Sequence, residues 1–370
     1  MLLGALGGLI SQCIQSIRMS NREYILVTGG LGFIGSHTTI ELLREGFNVI
    51  IIDNCSNADT TVLCNLDELF RRFEPSDLAR TERLLFYDID IRKMSHLNDV
   101  FAAHRITAVI HFAALKSVNE SIHKPLQYYN NNVAGTSALL TVMKHYGCKK
   151  IIFSSSATVY GSAAESPITE MAHTGRQITN PYGRSKYMCE EILGDLVESD
   201  GEWSVVVLRY FNPCGAHPSG LLGERPQGVP NNLFPYILDV AAGRRPILRV
   251  FGADYNTPDG SCIRDFIHVC DLAEAHVSSL KALQRSGLHV YNVGTGKGTS
   301  VLNLLNTFIN VTGVPVNYEI TDRRPGDVEA VWASTGKIYS ELGWWAKRGI
   351  EDICRDGWRY ASNGVSGFSA

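Results

Sequence analysis

The chain has 370 residues, enough to bury a large core in one big domain or two coupled ones. Apolar residues make up 45% and charged residues 19%, which excludes a disordered chain and describes an ordinary soluble globular one. Lys and Arg total 34 against 37 Asp and Glu, a net charge of −3 with no long basic run, so no nucleic-acid partner is expected.

In chain order, "MLLGALGGLISQCIQSIR" (1–18) is apolar but too short to span a bilayer, and it lacks a basic n-region. Met19 then opens an ordinary start, so residues 1–21 read as an N-terminal extension and no membrane partner is expected. "YILVTGG" (24–30) predicts a buried parallel strand, "FIGSHTTIELLREGF" a helix, and "NVIIIDN" (48–54) a second buried strand ending in an acid. Residues 57–83 read as a helical excursion. Strands follow at 83–90, 106–114, 149–156 and 203–212, with helices at 96–104, near 125–146, and around Tyr182. The alternation predicts an α/β fold, a doubly wound parallel sheet of Rossmann type.

Beyond residue 212, Pro and Gly crowd "PCGAHPSGLLGERPQGVPNN" (213–232) and the strands shorten, which predicts a second, smaller mixed α/β domain. "DFIHVCDLAEAHVSSLKAL" (265–283) is expected to return to the larger domain as strand and helix. The expected division is 22–212 plus about 263–294 for the larger domain, and about 213–262 plus 295–370 for the smaller. Nine cysteines without a C-x-x-C pair indicate buried thiols in a reducing compartment, hence a cytoplasmic location, and no metal site.

"VTGGLGFIGSH" sets Gly29, Gly32 and Gly35 in a G-x-x-G-x-x-G frame between a strand and a helix. Such a turn lets the backbone approach a pyrophosphate and aims helix N–H groups at it. Asp53 closes the second strand about twenty residues later, where it can accept both hydroxyls of an adenosine ribose. A carboxylate there repels a 2′-phosphate, so NAD is favoured over NADP and the larger domain binds it.

"NPYGRSKYMCEE" (180–191) puts Tyr182 and Lys186 four residues apart, on one face of a helix. A phenol is a poor base at neutral pH, and a neighbouring ammonium favours its phenolate. Lys186 is therefore expected to tune Tyr182 as a general base and to grip the nicotinamide ribose. "IIFSSSATVYG" (151–161) delivers hydroxyls at a strand end, with Ser156 expected to relay a hydrogen bond to a substrate hydroxyl beside Thr158.

Together these motifs resemble the extended short-chain dehydrogenase/reductase family. The longer runs "SSSATVYG", "NPYGRSK", "LRYFNPCGAHPSG", "GVPNNLFPYI", "IRDFIHVCDLA", "YNVGTGKGTSVL" and "RRPGDV" are similar to those of the UDP-glucose 4-epimerase family, over about residues 22–360. The resemblance implies that Gly32, Phe33 and Ile34 line the pyrophosphate, Asp53, Asn54 and Asn57 the adenosine ribose, and Asp90 and Ile91 the adenine. It implies that Phe112, Ala113, Ala114 and Lys116 contact the dinucleotide, with Asn131 nearby and Tyr210 near the nicotinamide. On the substrate side it implies Ser156, Ala157, Thr158, Tyr182 and Phe211 about the hexose. Asn212, Asn231, Asn232 and Leu233 would hold the diphosphate and sugar. Arg249, Val250 and Phe251 would border the uracil, Arg264 and Arg324 neutralise the diphosphate, and Asp327 meet the uridine ribose.

The activity so implied is interconversion of UDP-galactose and UDP-glucose. Oxidation at the sugar C4 leaves hydride on tightly bound NAD, the 4-keto sugar turns, and the hydride returns to its other face. Epimerisation of another UDP-sugar (N-acetylated or pentose) is an alternative, because the family's gate to the 2″-substituent falls at Val331, intermediate in size. Dehydration is disfavoured: dehydratases carry an Asp-Glu pair after the strand-end Thr, where this chain reads "SSATVYG". The resemblance also implies a homodimer through the helices near 125–146 and 181–198.

Overall fold

Strand β1 (Glu23–Thr28) and strand β2 (Val49–Asp53) are joined through helix α1 (Phe33–Arg44). Every residue of β2, and all of β1 after Glu23, is buried, as continuous apolar runs require when both faces of a sheet are covered. The computed structural model describes residues 22–162, 165–226, 228, 230, 232–324 and 327–363. The predicted extension, residues 1–21, lies outside them.

Five further strands complete the sheet: β3 (Leu84–Asp88), β4 (Arg105–His111), β5 (Lys150–Ser156), β6 (Ser204–Tyr210) and β7 (Gly287–Val293). Their order is β7-β6-β5-β4-β1-β2-β3, with every pair parallel. The expected doubly wound sheet is therefore present. Strand order reverses between β1 and β4, which opens a crevice at their carboxyl ends. Alternate residues feed two cores: Val27, Ile51, Ile110 and Leu208 on one face, and Leu26, Ile50, Val109 and Val207 on the other.

The 57–83 excursion is helical as read, in two pieces, Thr61–Arg71 and Asp77–Arg83. Buried Arg80 ties them together, donating to Asp67 and to the Glu74 carbonyl. The helix predicted near 125–146 is interrupted. Pro125–Tyr128 leads into a π-helical turn, Tyr129–Ala134, before helix α2 (Gly135–His145). The wide turn carries Asn132, whose amide clasps the backbone N–H and C=O of Leu115 at 2.8 and 3.0 Å. Helix α3 (Pro181–Ser199) bears Tyr182 and Lys186.

One expectation is corrected. The strand read at the start of 265–283, Phe266–His268, joins Asn212–Cys214 in a separate pair instead of the large sheet. The sheet is completed by β7, and that short pair leads into the smaller unit. There, helix α4 (Leu233–Ala241) accompanies the parallel strand pair Leu248–Phe251 and Tyr318–Thr321. Helix α5 (Val269–Ser279) does return to the large sheet, packing on α1. Helices α6 (Val301–Thr312) and α7 (Ile350–Asn363) close the smaller core around Ile237, Val250, Phe308 and Ile353.

Buried histidines give this fold an acid weakness. His37 and His111 are pushed down to about 3 and His276 to about 4, in each case mainly by burial. They stay neutral in the native state, whereas the unfolded chain takes up protons below about 6.5. Stability is therefore expected to fall as pH drops from about 6.5 toward 4, read as a decline in Tm across that window. A flat Tm would contradict it.

Candidate active site

The glycine turn sits at the mouth of the crevice. Gly29 has φ +66°, and a Cβ there would stand 2.7 Å from the Ala113 nitrogen. At Gly35, in the first turn of α1, a Cβ would stand 2.3 Å from the Gly29 carbonyl oxygen. Only hydrogen at both places allows helix, turn and β4 loop to close on one another. Gly32 caps α1 without any side-chain bond, so the first N–H groups of the helix, from Phe33 and Ile34 onward, face outward for an anion.

Asp53 is buried and ties the turn to the next loop, accepting from Leu31 N at 3.1 Å and Cys55 N at 3.0 Å. Burial raises its carboxyl, opposed by those bonds. Asn54 hydrogen-bonds Asp90, whose carboxyl Arg92 holds down at about 2. Asn57 is exposed beyond them, and Ile91 is buried against Gly135. Arg92 was missed by the sequence reading, since no motif in "DIDIRK" marks it.

From β4, Phe112 N donates to the Thr28 carbonyl and Ala113 N to Thr28 Oγ1, which holds 112–114 against the glycine turn. Phe112 and Tyr210 both lie on His276, with ring centroids at 4.7 and 5.3 Å. Asn131 donates to Asn132. Lys116 differs from expectation in pairing with Glu224 at 2.5 Å, a carboxylate that is itself buried. The open helix end, the Cβ-free turn and the buried acid at the β2 terminus fit a dinucleotide.

Asn180 caps α3 by accepting from Gly183 N at 2.8 Å, and Pro181 occupies the first turn where its missing N–H costs nothing. Lys186 Nζ donates to the Ser154 carbonyl at 2.6 Å and lies 4.9 Å from the Phe153 ring centroid. Burial brings its ammonium down to about 8. Ser156 accepts from Thr158 Oγ1 at 3.0 Å and from Thr158 N, leaving its own proton for the Tyr182 side. Burial pushes the Tyr182 phenol up, opposed by hydrogen bonding with Ser156, while the Lys186 ammonium donates to the Ser154 carbonyl.

A cavity of about 350 Å³ is lined by Asn232, Leu233, Arg249, Val250, Phe251, Arg324 and Asp327 among others. Asn232 and Leu233 stand at the N-terminus of α4. Arg324 forks onto Asp327 at 2.9 and 3.3 Å and covers Phe251 at 4.7 Å. Arg264 reaches the same carboxylate at 3.8 Å. Asp327 therefore gathers both arginines. Arg249 turns its head outward to Glu319 at 2.9 Å. Asn212 is exposed at the entry of its short strand, and Asn231 lies outside the described residues. Buried Phe211 packs with Ala157 and Val331, the latter on the strand Ala330–Val331 beside Ile263–Arg264. Asn119 and Tyr236 also line the cavity and were missed. Tyr236 could have been found, four residues after Asn232 on one helix face; Asn119 carries no signal.

UDP-glucose 4-epimerase 2 of Arabidopsis thaliana is 49% identical over 348 residues, which is 94% of this chain and 97% of that protein. The chain belongs to the UDP-glucose 4-epimerase family. The UDP-glucose 4-epimerase of Bacillus subtilis is 50% identical over 94% of this chain and 99% of its own length. Among solved structures, the Bifidobacterium longum UDP-glucose 4-epimerase in complex with NAD+ and UDP superposes with a TM-score of 0.86. It shares 46% identity and covers 93% of this chain and 100% of that one. A family model described as GDP-mannose 4,6 dehydratase matches residues 26–357. In this chain Val159 and Tyr160 follow Thr158, with no carboxylate pair.

Proposed function

We propose that this chain is an NAD-dependent isomerase that interconverts UDP-galactose and UDP-glucose. The observation that carries the reading is the trio of Ser156, Tyr182 and Lys186, in a chain that also has a cavity lined by Arg324 and Asp327, the latter paired with Arg264. The larger unit, 22–212 with about 263–294, holds the dinucleotide, and the remainder holds the UDP-sugar.

When bound, the oxidised nicotinamide supplies a positive charge that favours phenolate, and it takes up and returns the hydride. Tyr182 removes the proton of the C4 hydroxyl, with Ser156 hydrogen-bonded to the same oxygen. As hydride leaves C4 a carbonyl forms there. The ketone would turn about its phosphate link and accept hydride on its opposite face, and Tyr182 would give the proton back to the new alkoxide. Lys186 holds the ribose of the dinucleotide. Planar guanidinium groups suit a diphosphate, so the ligand is tethered there while the hexose stays free to rotate.

Incubation of purified protein with UDP-galactose, without added dinucleotide, is expected to yield UDP-glucose. Loss of water from the sugar would favour the dehydratase instead, and no product at all would overturn the reading. Arg324→Ala is expected to raise KM for UDP-galactose by roughly 10- to 100-fold with kcat changed less, because it removes binding shared by ground and transition states. An unchanged KM would remove Arg324 from the diphosphate site.

No helix among the described residues is long and apolar enough to cross a membrane. A cytoplasmic location is our reading from the cysteine usage. We also read a homodimer, formed over Tyr129, Val133, Met188 and Ile192, which line a shallow cavity on the outer face of the helices. Val331 leaves room for testing N-acetylated UDP-sugars as second substrates.

A further inference from the structure

Strands β5 and β6 pair in a register that sets Ser155 beside Arg209 and Ser156 beside Tyr210. Glu190 reaches both members of the first pair from α3. It accepts a short hydrogen bond from Ser155 Oγ, and Arg209 donates to it through Nη2 at 2.6 Å and Nε at 3.1 Å. Arg209 continues to Tyr160 Oη at 3.0 Å, which donates to Asn292 Oδ1 on β7 at 2.6 Å. Both charged side chains are buried, at 8% and 7% exposure. A buried ion pair adds little net stability over an apolar pair of similar volume, so stability alone does not account for it.

Its place does. Tyr182, Lys186 and Glu190 follow one another at one-turn intervals on α3, and the residues Glu190 grips are the immediate neighbours of Ser156 and Tyr210. We propose that Glu190, buttressed by Arg209, is a positioning residue for the epimerisation. It sets α3 against the strand ends so that Tyr182 meets Ser156, and it is the counter-charge that keeps Lys186 an ammonium.

The groups around Lys186 support the second role. Tyr182, Cys189 and Glu190 share its helix, His111 faces it from β4, and the Ser154 carbonyl and Phe153 ring face it from β5. On β6, Arg209 is turned onto Glu190. His111 is neutral and burial holds the Cys189 thiol up, which leaves Glu190 as the carboxylate in this set. Burial pulls the ammonium down, opposed by Cys189 and Glu190, and with burial keeping the Cys189 thiol protonated the negative charge of that pair sits on Glu190. Removing that carboxylate moves the loss of the Lys186 charge to lower pH.

The proposal rests on the epimerase reading, and the unaltered protein tests that reading separately by turning over UDP-galactose. Glu190→Gln is expected to lower kcat by about tenfold or more, with KM for UDP-galactose within about threefold, and to move the alkaline limb of kcat to lower pH. Because Glu190→Gln strands a buried guanidinium, the pair variant Glu190→Met with Arg209→Met is measured beside it. An apolar pair restores the packing but not the charge, so the low kcat and the displaced limb are expected to persist there. Glu190→Asp keeps the charge at a shorter reach and is expected to retain the limb of the unaltered protein with reduced kcat. Normal kcat and an unmoved limb in folded Glu190→Gln or in the pair variant would overturn the proposal. So would normal kcat in Glu190→Asp if neither of those variants folds.

Discussion

Tyr182→Phe will lower kcat for UDP-galactose by on the order of 10³-fold, the range expected when a positioned general base is removed. The phenol oxygen is the group that meets Ser156, and no other described titratable side chain is hydrogen-bonded to that hydroxyl. Phenylalanine keeps the ring in place on α3, so the fold and the retained dinucleotide should be unaffected. Burial raises the unaltered phenol and hydrogen bonding with Ser156 opposes it. The measurement is kcat by coupled detection of UDP-glucose, with Tm and dinucleotide released on denaturation as controls. Near-normal turnover in Tyr182→Phe would remove Tyr182 as the base.

Gly35→Ala is the second large effect. An added methyl would meet the Gly29 carbonyl oxygen at 2.3 Å and the Gly30 Cα at 2.8 Å, both backbone atoms that cannot swing aside. Either α1 lifts away from the turn or the turn opens, at a cost of about 1–3 kcal/mol by analogy with overpacked cores. Both movements misalign the N–H groups that face the pyrophosphate, so the dinucleotide and the stability its binding adds are lost together. Purified Gly35→Ala should therefore carry little dinucleotide and melt at lower temperature. Gly194 in the middle of α3 is the control, since nothing lies within 4 Å of its added Cβ. Alanine there should raise stability by roughly 0.5–1 kcal/mol with activity retained. Full dinucleotide content in Gly35→Ala would refute the steric account.

The parts of the site that were legible in the sequence share a physical origin. A tight turn needs glycines at fixed offsets, and a helix aligns residues four apart, so Gly29, Gly32, Gly35, Tyr182 and Lys186 declare themselves by local spacing. Their local character is why the structure leaves them where they were read. Groups that work across elements carry no such mark. The Lys116–Glu224 pair spans 108 positions, and Asn119 enters a cavity otherwise built from residues far along the chain.

By itself, then, the sequence determined the doubly wound sheet, the tight glycine turn after β1 and the helix that carries Tyr182 and Lys186, because apolar runs and helical periodicity are short-range properties. Tertiary structure alone decided where the charges went. It turned Lys186 onto the Ser154 carbonyl, drew Arg264 and Arg324 to Asp327, and set Glu190 against Arg209 beneath the strand ends. Electrostatic partners are chosen by distance in space and by burial, and neither quantity is written in the spacing of residues along the chain.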